Sequence, residues 1–116
     1  MNDSEYSFIL GIIFFFDSKE ELASILSSES LNVDVGLWSI TLRDFPGSHS
    51  RFKIAYEGNL NPQEPFVIEA SAYGVSTQKI ARWCSDFSDV LVKLGIKHEM
   101  THFGSNEEEL KTYTLT

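Results

Sequence analysis

Residues 98–102 read HEMTH. Two histidines four positions apart, with Glu99 beside the first, have the spacing that clamps a zinc ion on one face of a helix while the glutamate serves as general base for a bound water. That chemistry depends on the helix. Each Zn–N bond is about 2.1 Å, so the two ring nitrogens must come within roughly 4 Å of each other. On a strand His98 and His102 also share a face, but their α-carbons stand about 13 Å apart at roughly 3.3 Å per residue. The decisive question is whether the preceding helix runs through Gly95 or stops before it.

Three features predict a stop. Glycine inside a helix costs about 1 kcal/mol relative to alanine. Leu94-Gly95-Ile96 has the form of a Schellman C-terminus, with glycine at the left-handed position and an apolar residue after it. Thr101 and both histidines are indifferent helix formers. Glu107, Glu108 and Glu109 follow as conceivable third ligands, but Gly104-Ser105-Asn106 intervenes. The string resembles zinc metalloproteases over these five residues alone. We therefore expect a strand carrying two partly exposed histidines, with no metal, cofactor or catalytic residue. A small zinc metalloenzyme using His98-Glu99-x-x-His102 is the alternative. Cys84, the only cysteine, falls between Ile80 and Phe87 at helical spacing and reads as a small core residue rather than a nucleophile. The chain has no Gly-rich phosphate loop, no G-x-S-x-G elbow and no C-x-x-C pair.

The elements that must position these residues follow from hydrophobic period. Tyr6 to Phe16 is apolar on both parities, as in a central strand with both faces covered. Ser18 and Glu21 form a capping box ahead of Leu22, Ile25 and Leu26, predicting a helix from Ser18 to about Ser28. Val33 to Leu42 alternates but changes parity, and Gly36 at the switch suggests a β-bulge in one strand. Phe52-Ile54-Tyr56 and Phe66-Ile68-Ala70-Ala72 each mark a strand, and short connections suggest an antiparallel meander. Ser76 or Thr77 caps a second helix, with Ile80, Trp83, Cys84, Phe87, Leu91 and Leu94 at helical spacing. Lys97 to Phe103 reads as a strand, and residues 107–116 as an edge strand or a frayed tail. Phe45 to Ser50, Gly58 to Pro65 and Gly104 to Asn106 are turn-rich connections. The order β-α-β-β-β-α-β predicts a single α+β domain over residues 1–116. It is a two-layer sandwich with a mainly antiparallel sheet of about five strands and two helices on one face.

The 116 residues are 42% hydrophobic, enough for a core, and the longest apolar run is far shorter than the roughly 20 residues of a membrane span. The expectation is a soluble cytoplasmic protein with no membrane partner. Seventeen acidic residues against nine basic ones give a net charge of −8. Phosphate backbones repel such a surface, so no nucleic-acid partner is expected. A basic protein is attracted to it.

On the sheet, Trp38, Ile40, Leu42, Phe52, Ile54, Phe66, Ile68 and Ala70 are expected to face the helices. Ser39, Thr41, Arg43, Lys53, Glu57, Glu69, Ser71 and Tyr73 then face outward. This outward set mixes charge with a tyrosine, the composition of a recognition surface. Glu57, Glu69, Tyr73, Glu107, Glu108 and Glu109 are the candidate partner-binding residues. In size, acidity and α+β content the chain resembles the small immunity proteins that neutralise toxic nucleases of bacterial contact-dependent and other polymorphic toxin systems. The resemblance implies an acidic, non-catalytic protein that occludes the active site of a basic cognate toxin in a 1:1 complex. An acidic mimic of nucleic acid that blocks a host enzyme shares the same charge argument.

Overall fold

The structure is a computed structural model and describes residues 5–14, 18–47, 50–57 and 66–116. Elements follow the order β1 (Tyr6–Phe14), α1 (Lys19–Ser28), β2 (Val33–Val35), β3 (Ser39–Leu42), β4 (Arg51–Tyr56), β5 (Phe66–Tyr73), α2 (Thr77–Lys93), β6 (Lys97–Phe103) and β7 (Glu109–Leu115). The strands form one antiparallel sheet in the order β2-β3-β4-β5-β1-β6-β7. The α+β class is as expected, but the strand count is seven, not five.

Both extra strands come from segments whose period was ambiguous. Val33 to Leu42 is a hairpin rather than one bulged strand. The Gly36 N–H donates to the Ser39 carbonyl at 2.7 Å, closing a turn between β2 and β3. That turn resets the side-chain alternation, which is why the parity changes there. The tail is β7, which pairs with β6 from His98↔Leu115 to Phe103↔Glu109 and carries one irregularity at His102/Phe103. The Tyr113 hydroxyl donates to the Ala81 carbonyl of α2 at 3.1 Å and fixes β7 to the helical layer. Phe15, Phe16 and the GNLNPQEP connection lie outside the described residues.

Helix ends follow the sequence chemistry. Ser18 Oγ accepts from the Glu21 N–H at 3.0 Å and Ser76 Oγ from the Lys79 N–H at 3.2 Å. Each such cap stabilises its helix by about 1 kcal/mol. At the C-terminus of α2, the Ile96 N–H donates to the Leu91 carbonyl and the Gly95 N–H to the Val92 carbonyl, with Gly95 at φ +71°. This is the Schellman closure, so the helix stops before HEMTH.

In β1, β4, β5 and β6 the buried residues all share one parity. The buried side meets α1 through Leu22 and Leu26, and α2 through Ile80, Cys84, Phe87 and Leu91. Aromatic rings anchor this layer. Phe52 lies 4.7 Å from Trp83 and 5.2 Å from Phe87, and Trp83 stacks on Phe87 at 5.2 Å. Each such pair adds about 0.5–1.5 kcal/mol beyond simple burial. Gly11 of β1 faces the same layer opposite Met100. A Cβ there would come within 2.4 Å of the Glu99 carbonyl oxygen and 2.8 Å of the Met100 Cα. Glycine is what lets β1 and β6 pair at this point.

Candidate functional site

The other face of the sheet is covered by neither helix. β1 lies near its centre, between β5 and β6. The outward residues of β1 are Tyr6, Phe8, Leu10, Ile12 and Phe14. They are apolar where a water-facing strand is normally polar. The register extends the apolar strip sideways. Tyr6 is opposite Tyr73 on β5, with ring centroids 4.6 Å apart. Phe8 is opposite Phe103 on β6, stacked at 4.7 Å and 9°. Leu10 remains 49% exposed and Tyr73 59%. The apolar double parity of residues 6–14 therefore does not mean that both faces of β1 are covered, as expected. One face is core, and the other is an open aromatic strip.

Beside the strip is an open cleft of about 660 Å³. Its apolar side is Tyr6, Phe8 and Leu10. Arg51 and Lys53 of β4 and Glu69 of β5 form one wall, and Ser105 and Glu107 of the β6–β7 turn form the other. Ser105 Oγ holds that turn to β1, donating to the Tyr6 carbonyl at 3.3 Å and accepting from the Tyr6 N–H at 3.4 Å. Glu107 sits at φ +62°, in the left-handed region that side-chain-bearing residues rarely adopt. Burial first, and then the neighbouring Tyr73 phenol, raise the Tyr6 pKa above its ordinary value.

Of the six predicted partner-binding residues, the structure gathers three. Glu69 and Glu107 line the cleft, and the Tyr73 ring packs tilted against Tyr6 at its edge. Glu108 bends back over Gly104, and the Glu109 carboxylate accepts from Thr112 Oγ1 at 3.2 Å. Glu57 is apart from this group. It follows the end of β4, at the opposite end of the strand from Arg51. Two cations outside the predicted partner-binding set, Lys53 of the expected outward face and Arg51, also line the cleft. Arg51 and Lys53 stand on one face of β4, and neither forms an ion pair among the described residues. The cleft is therefore of mixed sign. Phe8, Leu10 and Phe103 were not singled out in the sequence. The signal available for them was the apolar outward parity of β1 beside polar outward positions on β4 and β5.

HEMTH is strand β6, and neither histidine is partly exposed as expected. His98 and His102 both point into the core and are fully buried. His98 Nδ1 faces the Ile96 carbonyl at 2.9 Å and so carries the proton. In the singly protonated ring Nε2 then accepts from the Ser88 hydroxyl at 2.7 Å. His102 has no hydrogen-bond partner at either ring nitrogen among the described residues, and burial lowers its pKa. The spacing is that of a strand, not of a helical turn, and no group of three or more potential metal ligands occurs among the described residues. Cys84 is buried against the sheet, and desolvation pushes its thiol up to about 12. A thiol so placed is not a thiolate nucleophile at neutral pH.

A further correction concerns Trp38, expected to face the helices. It lies in the β2–β3 turn and is 65% exposed. No described helix is long and apolar enough to cross a membrane. No family model, curated protein or solved structure matches the chain, so the reading of this surface rests on its own chemistry.

Proposed function

We propose that this chain is a non-catalytic binding protein that neutralises a basic, nuclease-like toxin in the cytoplasm by covering its active site, as do the immunity proteins it resembles. The observation that supports this most directly is the uncovered aromatic strip of β1, β5 and β6 with carboxylates at its edge. A solvated sheet face gains nothing from Phe8, Leu10 and Tyr73, whereas a docking face buries them on binding. Protein interfaces combine such an apolar centre with a polar rim. The net charge of −8 favours a cationic partner and speeds the encounter, and salt weakens both effects.

The test is binding to the toxin encoded in the adjacent reading frame. Calorimetry is expected to give a 1:1 complex that weakens as salt is raised, with toxin activity lost on binding. Leu10→Lys places a charge in the strip without touching the core. It should lower affinity at least about tenfold while leaving thermal unfolding unchanged, since a desolvated interfacial charge costs well over 1.4 kcal/mol. Failure of the pair to associate at low salt, or a toxin that stays active when bound, would defeat the proposal.

A further inference from the structure

We infer that the β2–β3 turn is a rigid anchor that inserts Leu37 and Trp38 into an apolar pocket on a basic protein partner. The inference deepens the binding reading above and rests on it.

Leu37 is 79% exposed and Trp38 65%, and Val35 beside them is half exposed. An exposed Trp-Leu pair at a turn is costly to leave in water, and tryptophan is the residue most enriched at interface anchors. The turn is also held in place. The Gly36 N–H donates to the Ser39 carbonyl at 2.7 Å, and the Tyr56 N–H donates to the Trp38 carbonyl at 2.9 Å. Lys19 Nζ, at the start of α1, donates to the Gly36 carbonyl. A turn tied to two neighbouring elements presents its side chains with little ordering entropy left to lose on binding. Neither Leu37 nor Trp38 belongs to the core or its partly buried fringe, and so the described residues give no packing reason for them.

Charge selects the occupant. The cations near the turn are engaged, Lys19 with Glu20 at 3.4 Å and Arg43 with Asp34 at 3.2 Å. Glu57 continues β4 past Tyr56, whose N–H binds the Trp38 carbonyl, and it forms no ion pair among the described residues. The tip is thus an apolar wedge with an uncompensated carboxylate at its base, on a molecule of net charge −8. Anionic lipid and a second copy of the chain both carry the wrong sign. A cationic protein surface with an apolar pocket carries the right one. Glu57 thereby acquires a place in the interface separate from the cleft that holds Glu69 and Glu107.

The experiment compares wild type, Trp38→Ala, Leu37→Ser and the open-face variant Leu10→Lys, each titrated with the toxin and, as a lipid probe, with neutral phosphatidylcholine vesicles. The expected result is at least about 30-fold weaker toxin binding by Trp38→Ala and Leu37→Ser, the loss typical of an interface hot spot. Their melting temperatures should match wild type. Trp83 is packed among Phe45, Phe52 and Phe87, so a blue shift of tryptophan emission on toxin binding, absent in Trp38→Ala, should report Trp38 leaving water. Wild-type affinity in both tip variants, with loss only in Leu10→Lys, would overturn the anchor and leave the binding reading standing. No toxin binding by wild type, whether Trp38 shifts on vesicles, the chain self-associates or neither occurs, would overturn both.

Discussion

His98 and His102 come from one five-residue string, lie on one face of one strand and are both buried, yet their environments are opposite. His98 is satisfied at both ring nitrogens by Ser88 and Ile96. His102 is satisfied at neither. An unpaired buried imidazole costs about 1–3 kcal/mol and resists protonation. Its folded pKa is depressed below the ordinary 6.5, so on acidification the unfolded chain takes up a proton at this residue before the folded chain does. The associated stability is present in full above pH 6.5 and is lost as pH falls from there through the folded pKa. His102→Leu removes both the unpaired nitrogens and the titration. Chemical denaturation across pH 4.5 to 8 should find the variant at least as stable as wild type at pH 8, with a shallower loss on acidification. An unchanged pH profile in His102→Leu would show that other groups carry the acid sensitivity. Cys84 gives a second check at this scale. With its thiol near pKa 12 and no exposure, alkylation by iodoacetamide at pH 8 should proceed only at the rate of unfolding, and denaturant should restore ordinary thiol reactivity.

At the scale of elements, much was legible because local chemistry and tertiary context agree. Ser18, Ser76 and Gly95 mark helix ends where the backbone places them, and alternation in residues 51–56 and 66–73 gives β4 and β5 with the correct buried parity. What was not legible depends on neighbours distant in sequence. A parity switch at Gly36 fits a bulge and a hairpin equally well until Tyr56 is known to bind the Trp38 carbonyl. The apolar outward positions of β1 fit a covered strand and an exposed docking strip equally well. Only the placement of both helices on one side distinguishes them. The burial of the histidines was likewise hidden, since β6 alternates with polar residues on both parities. Gly11 also depends on context that the sequence hides. It reads as one more break in an apolar run, but β6 backbone occupies the space a Cβ would need. Gly11→Ala must push the two strands apart or bend one of them, at a cost of about 1–3 kcal/mol. A melting temperature within a degree of wild type would mean that the β1–β6 ladder is looser than its register implies.

For the whole molecule, the distribution of charge matters more than its sum. The net charge of −8 predicts attraction to any cationic partner, yet the cleft beside the aromatic strip holds Arg51 and Lys53 together with Glu69 and Glu107. A uniformly cationic partner face would meet repulsion at two of these four groups. The long-range field and the local contacts can therefore be separated by experiment. Charges at a rim act mainly on the association rate, and charges that become desolvated act on dissociation. Neutralising Arg51 and Lys53 to Gln makes the molecule more negative and removes the local repulsion. The association rate with the basic partner should rise several-fold at low salt, and the gain should shrink as the Debye length falls below about 8 Å above physiological ionic strength. Glu69→Gln with Glu107→Gln should slow association by a similar factor. If Arg51→Gln/Lys53→Gln instead speeds dissociation, the two cations are paired across the interface. The partner must then present carboxylates over the cleft and its positive surface elsewhere, a mixed pattern that would make binding more selective than opposite net charge alone.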